Sequence, residues 1–392
     1  MYDLLKGVRV LDLTSVVLGP FATQYLGDFG ADVIKVEPPS GDIFRYVRPS
    51  RSDDMGAGFL NMNRNKRSIC LNLKDEDDIA YLHTLLKDAD VLVHNMRLKA
   101  ATRLKLGPED LKQTYPGLVY CYAPGFGSDG RNADQPAYDD IIQAASGIAA
   151  LNRGSKDEPR YVPTIICDKV GGMHLAMAVL AGIAHQAKTG QGCAIEVPMF
   201  EGTVAFLLAE QLAGETFIPA EGTMGYERLL SPYRRPHRTK DGYIGVLPYD
   251  GTDWSRILEF IQSDLATADW VQSSAERSAR VDELYRVLSA AMPERTTDEW
   301  IEIFKRLDIP CTPVNSMQDL LSDKHLQDVG FFKEVEHPGE GMIRSVRSPF
   351  VVQGVEQHPD TPAPGLVKNR ANNPANNPTN NDEPLNWLPK RT

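Results

Sequence analysis

Asp168 is the residue whose type and surroundings most invite chemistry. It follows Pro163-Thr164-Ile165-Ile166-Cys167 and precedes an apolar repeat of Val170, Met173, Met177, Leu180, Ala181 and Ala184 at helical spacing. That spacing predicts a helix with Asp168 at its N-cap, and with Gly171 and Gly172 leaving the first turn uncrowded. A carboxylate so placed lies beside unpaired N–H groups and the positive end of a helix dipole, and is expected to stay ionised. The donors of that helix start, around Gly171 and Gly172, would also stabilise an oxyanion formed beside it. Two readings stand at this point, a capping carboxylate without chemistry and a nucleophile. Cys167 is adjacent, but a thiol nucleophile needs an activating His or Lys, and no such motif surrounds it. His174 and His94 read as core or hydrogen-bonded histidines, and Glu196 and Glu201 have no assigned role.

The elements that must hold Asp168 come from repeated strand–helix–strand units. Gly7-Val8-Arg9-Val10-Leu11-Asp12-Leu13 reads as a strand, residues 21–29 as a helix closed by Gly30, and Asp32-Val33-Ile34-Lys35-Val36-Glu37 as a second strand stopped by Pro38-Pro39. Such a unit implies a parallel sheet with a right-handed crossover. The pattern repeats, with a strand over 67–73, a helix over 75–87, a strand over 90–94, a helix over 98–104 and a strand over 118–122. After the helix that carries Asp168, Gly190-Gln191-Gly192 turns into a strand over 194–198, and a long helix follows over 201–213. The first strand–helix turn lacks the three-glycine fingerprint of a dinucleotide site, and Gly125-Phe126-Gly127 is not followed by a helix, so NAD is not expected.

From about Glu221 the texture becomes rich in Gly, Tyr and Arg. Lys240-Asp241-Gly242 is a hairpin-like turn into a strand, and residues 254–307 read as helical. The expected class is α/β, with a large parallel-sheet domain over 1–221, a smaller α+β domain over 222–328 and a return to the first over 329–364. The remaining 365–392 form a low-complexity tail whose Asn-Asn-Pro repeats, over 369–381, are expected to be extended or disordered.

Of 392 residues, 42 are Lys or Arg and 53 are Asp or Glu, a net charge of −11 that argues against a nucleic-acid partner. Any anionic ligand must then be met by a local basic patch. One candidate is Asn63-Arg64-Asn65-Lys66-Arg67; the other comprises Arg97, Lys99, Arg103 and Lys105, where Lys99 and Arg103 share a helix face. Five widely spaced cysteines without a ligand pattern predict neither disulfides nor a metal, and fit a reducing cytoplasm. No basic-then-apolar leader and no apolar run of about 18 residues is read, so no membrane partner is expected.

Seen together, several motifs resemble one family. They are Gly7 to Thr14, Gly19-Pro20-Phe21-Ala22-Thr23-Gln24, Gly30 to Pro38, Asn63 to Ser68, Gly125-Phe126-Gly127, Tyr138-Asp139 with Gln143 to Gly147, and Asp168 before Gly171-Gly172-Met173-His174. Their order and spacing, over about 350 residues to near Pro364, resemble the class III coenzyme A transferases of the CaiB/BaiF type. The resemblance implies that Asp168 attacks a donor thioester, giving an acyl-aspartyl anhydride and then an aspartyl-CoA thioester. It implies CoA contacts from Val17, Leu18, Leu71, Asn72, Leu73, Lys74, Asn95, Arg103, Ala137, Tyr138 and Asp139, with Arg103 meeting a phosphate. It further implies a Rossmann-like large domain, ring-shaped subunits interlocked as an obligate homodimer, and CoA thioester as substrate, with no permanently bound cofactor.

Two departures bear on the substrate. An arginine that formyl-CoA transferases carry after the second strand is Pro38 here, and their glycine-rich loop has no counterpart in Met224 to Arg235, which argues against formyl-CoA and oxalate. Arg228, Arg234, Arg235 and Arg238 instead hint at a carboxylate-binding surface and so at a dicarboxylic acid. One rival reading is a 2-methylacyl-CoA racemase of the same superfamily. It needs a histidine base where Tyr138 stands, and a phenol is a poor base at neutral pH. A second rival is a CoA-binding protein without turnover, in which Asp168 is only a cap.

Overall fold

Short runs rich in Val, Ile and Leu become strands buried on both faces, the arrangement parallel sheets require. The computed structural model describes residues 1–153, 158–367 and 387–388. The chain divides into two compact units, one of Met1–Leu207 with the described residues from Gly330 on, the other of Leu208–Val329.

In the first unit β1 (Arg9–Leu13), β2 (Asp32–Glu37), β3 (Lys66–Cys70), β4 (Val91–His94), β5 (Val119–Tyr122) and β6 (Ala194–Glu196) form one six-stranded sheet. Every pair is parallel and the order is 3-2-1-4-5-6, that of doubly wound α/β folds. The helices are α1 (Leu18–Asp28), α2 (Ala57–Met62), α3 (Glu76–Leu86), α4 (Leu98–Arg103), α5 (Pro108–Thr114), α6 (Asp139–Ser146), α7 (Ile148–Leu151), α8 (Ile166–Thr189) and α9 (Met199–Gln211). Alternate strand residues feed two cores. Val10, Val33, Val91 and Val119 pack with Leu26 of α1 and Val179 of α8. Leu11, Ile34, Ile69 and Leu92 pack with Leu82 and Leu86 of α3 and Leu111 of α5.

The strand expected over 67–73 ends at Cys70, because Asp75 caps α3 by accepting from the N–H groups of Asp77 and Asp78. Helix α8 corrects the membrane expectation in one respect. Over its most apolar window its mean hydropathy is 1.4, and by length and composition alone its 24 residues suffice to cross a bilayer. One face packs into the core through Leu175, Ala176 and Val179, while Met173 and Met177 stand exposed. The supposed basic patch at 63–67 is also corrected. Arg64 pairs with Asp28, Lys66 with Asp12 and Arg67 with Asp32, all within the fold. Hairpin β10 (Phe332–His337) and β11 (Gly341–Val346) forms a separate two-stranded sheet. Trp387 is buried, its indole N–H donating to the Leu85 carbonyl at 2.9 Å. The Asn/Pro repeats of 369–381, expected to be extended or disordered, lie outside the described residues.

The second unit carries a three-stranded antiparallel sheet of β7 (His237–Arg238), β8 (Tyr243–Val246) and β9 (Cys311–Pro313). The hairpin at Lys240-Asp241-Gly242 is present, with Thr239 N–H donating to Gly242 O at 3.0 Å. The single helical stretch expected over 254–307 is four helices, α11 (Gly251–Phe260), α12 (Ser274–Ala279), α13 (Val281–Ala291) and α14 (Thr297–Arg306). Polar caps punctuate them, Asp250 before α11, Ser273 before α12 and a Thr296–Glu299 capping box before α14. Short helices α10 (Glu227–Leu230) and α15 (Lys324–Asp328) complete the unit, whose core gathers Trp254, Leu284, Leu288, Trp300 and Phe304.

Candidate active site at the carboxyl edge of the sheet

Strand order reverses between β1 and β4, and in such sheets ligands bind where the loops leaving those two strands diverge. Both exits are bound together here. The Asn95 side chain, just past β4, accepts from Ser15 N–H at 3.0 Å and donates to Ser15 O at 2.9 Å. Val16 follows with φ +70°, a strained conformation for a β-branched residue. Its N–H is held by the Asp42 carboxylate at 3.0 Å, and Asp42 pairs in turn with Lys35. Beneath this loop, Asp12 accepts from Thr14, Thr23 and Lys66, and Glu37 accepts from Arg45 and Ser68. Burial opposes the charge on Glu37, but the Arg45 guanidinium holds its carboxyl down at about 2. This paired lattice holds the β1 exit rigid.

Asp168 sits in the first turn of α8, not at its cap. Ile165 is the N-cap residue, and Asp139 supplies the capping carboxylate from outside the helix. Asp139 Oδ1 accepts from Cys167 N–H at 2.7 Å and from Asp168 N–H at 3.1 Å. Its Oδ2 accepts from the Gln143 amide at 2.6 Å, and Gln143 Oε1 accepts from Val162 N–H at 2.8 Å. Ile166 N–H donates to Thr164 O and Lys169 N–H to Ile165 O, so all four leading N–H groups of α8 have acceptors. The free donors expected for an oxyanion are therefore already engaged.

Gly171 and Gly172 lie deeper, in the regular ladder, and their role in the fold is close packing. A Cβ at Gly171 would stand 2.7 Å from Leu18 Cδ1, and one at Gly172 would stand 2.6 Å from the Leu18 carbonyl oxygen. Their absence of side chains lets α1 press against α8.

The expected ionisation of Asp168 is also revised. Burial, with the Asp139 carboxylate second, raises its carboxyl to about 7. Among the described residues no hydrogen bond engages that carboxylate. A half-buried, unpartnered carboxyl titrating near neutrality can act as a nucleophile once ionised. Cys167 does not compete: it is fully buried, and burial with the Asp139 charge pushes its thiol up to about 12.

The remaining CoA-contact expectations fall into groups. Val17 and Leu18 begin α1 at the strained β1 exit, both buried. Leu71 to Lys74 follow β3 on the same carboxyl edge, with Asn72 and Lys74 exposed. Ala137 lies against Gly125, where a Cβ would come within 2.1 Å of the Ala137 Cβ. Tyr138 caps α6 and is 68% exposed. Arg103 ends α4, exposed and without an ion pair among the described residues. Lys99, on the same helix, instead pairs with Asp134. Asp139 has its buried carboxylate engaged by the start of α8 and by Gln143.

Sequence reading missed the work of Glu196 and Glu201. Glu201 accepts from Gly127 N–H at 3.0 Å, and Glu196 accepts from Ser128 N–H and Oγ, each at 2.7 Å, so the two hold the loop after β5. The Asp139–Gln143 spacing of four on a helix was a usable signal. His94 is buried and bonded to the Tyr120 hydroxyl, as its structural reading required, and burial lowers it to about 4. His174 is half-buried, its Nδ1 close to Gly202.

The sequence profile of CoA-transferase family III matches residues 5–370. The chain belongs to that family. Among its relatives, succinyl-CoA:glutarate CoA-transferase of Homo sapiens is 32% identical over 352 residues, covering 88% of this chain and 80% of the human protein. (R)-2-hydroxy-4-methylpentanoate CoA-transferase of Clostridioides difficile is 28% identical, covering 92% of each. In three dimensions the CoA-transferase family III chain is similar to a CaiB/BaiF family protein from Brucella suis. The TM-score is 0.77 at 26% identity, over 93% of this chain and 97% of the other.

Proposed function

We propose that this protein moves coenzyme A from an acyl-CoA donor to a free carboxylic acid, with Asp168 as the covalent carrier. The Asp168 carboxylate attacks the thioester carbonyl of the donor, a C–O bond forms as the C–S bond breaks, and CoA leaves as the thiolate. The thiolate attacks the aspartyl carbonyl of the resulting anhydride, releasing the first acid and leaving an aspartyl-CoA thioester. The acceptor carboxylate repeats these two steps in reverse and departs as the new thioester, regenerating Asp168. The observation that carries this reading is the unpartnered Asp168 carboxylate on an α8 start fixed by Asp139, in a chain of this family.

The acid we propose is a dicarboxylate. The human relative named for succinyl-CoA and glutarate supports that class, as does the arginine cluster of the second unit. We also propose a homodimer. The uncovered face of α8, with Met177 57% exposed, and the 51% exposed Phe206 of α9 support a second copy lying over them. The test of the transferase is a panel of acyl-CoA donors and free acids, read by mass spectrometry. New CoA thioesters that vanish in Asp168→Ala support it; turnover that survives in that variant overturns it.

A further inference from the structure

We propose that a cavity within the second unit is a binding site for a small dicarboxylate anion. It measures about 510 Å3 and is lined by Arg228, Arg234 and Arg235, with the Tyr285 hydroxyl and apolar wall from Val246 and Leu247. Among the described residues no carboxylate lines it, and none of the three guanidiniums forms an ion pair. In a protein with net charge −11, leaving three arginines unpaired at one cavity is a choice that favours an anionic occupant.

The backbone that carries the cations is set before any ligand arrives. Arg234 and Arg235 sit between Pro232 and Pro236 on a tight turn, where Arg234 N–H donates to Ser231 O at 3.1 Å and Arg235 N–H to Tyr233 O at 2.9 Å. Tyr233 anchors that turn in the core of the unit. Arg228 Nε donates to the Tyr285 hydroxyl oxygen at 3.2 Å, and its guanidinium also lies beside Tyr226 and over the Tyr249 ring, which orients it at the cavity wall. Guanidinium forks pair with carboxylates and phosphates alike. The apolar wall decides between them: it suits a methylene chain joining two carboxylates and offers nothing to inorganic phosphate. The inference deepens the dicarboxylate reading above by naming residues that would meet such an acid.

Cys311 lines the same cavity and is half-buried, as is Cys193, which lies in the first unit. This gives a local readout in the full chain carrying Asp168→Ala, which separates binding from turnover. Thiol alkylation would be mapped by mass spectrometry with glutarate, butyrate or inorganic phosphate present. The site predicts that glutarate slows alkylation of Cys311 but not of Cys193, and that Arg234→Gln with Arg235→Gln raises the protecting concentration at least about tenfold. An unchanged Cys311 alkylation rate without ligand and an unchanged thermal melt in that variant show that the second unit keeps its fold. Equal protection by butyrate, better protection by phosphate, or protection indifferent to the arginines would overturn the proposal. Failure here would leave the transferase intact, whereas wild-type protein that binds glutarate at this site yet moves no CoA would sink the transferase alone.

Discussion

A carboxyl raised to about 7 beside a second, capping carboxylate couples activity and stability to pH at one residue. If ionised Asp168 is the nucleophile, kcat/KM should rise with pH and level off above a midpoint near 7. Asp139→Asn keeps an oxygen for the Cys167 and Asp168 N–H groups but removes the like charge. Because burial is the larger cause and Asp139 the smaller, the midpoint should fall by no more than about one unit; a pH–rate profile that does not move would show that Asp139 exerts no field there. Stability runs the other way. An acid whose folded pKa lies above its unfolded value, here 3.8, costs the fold nothing below 3.8, progressively more as pH rises, and most above about 7. Asp168→Asn should therefore stabilise the protein at pH 8, on the order of 2 kcal/mol, and hardly at all at pH 4. Thermal melts of both proteins at the two pH values check this, and equal shifts at both would contradict it.

At the scale of elements, the contact between α1 and α8 sets where Asp168 stands. A Cβ at Gly172 meets the Leu18 carbonyl oxygen, which is backbone and cannot yield, whereas at Gly171 it meets the end of the Leu18 side chain. Gly172→Ala should cost about 1–3 kcal/mol and Gly171→Ala less, with urea unfolding as the measurement. The strand–helix–strand texture was legible because each strand is a local apolar run, and six parallel strands followed from it. The start of α8 was not legible. Its cap comes from Asp139, 28 residues before Cys167, and a local pattern assigns the cap to the nearest carboxylate, Asp168. The same blindness turned Arg64, Lys66 and Arg67 into a surface patch, since their partners Asp28, Asp12 and Asp32 lie on other elements. Asn95 was placed by motif, but its bridge to Ser15 needed the two strand exits side by side.

For the molecule as a whole, the exposed apolar face of α8 and α9 carries the expectation of a second copy. Met177→Glu should break the assembly while leaving the monomer folded, with sedimentation velocity showing halved mass; an unchanged mass, or a monomeric wild type, would contradict it. The central claim is that the Asp168 carboxylate itself enters covalent exchange, and an isotope reads that directly. In an anhydride route the bridging oxygen of the acceptor acid stays with the aspartate when CoA thiolate takes the acyl group. The protein would be turned over with acyl-CoA and an acceptor acid labelled with heavy oxygen, then digested, and the peptide containing Asp168 weighed. A mass gain of one heavy oxygen atom after a single turnover, and of up to two on repeated turnover, located at Asp168 by fragmentation and dependent on both substrates, is the predicted result. Turnover that leaves Asp168 unlabelled would mean that CoA passes between acids without this residue as carrier.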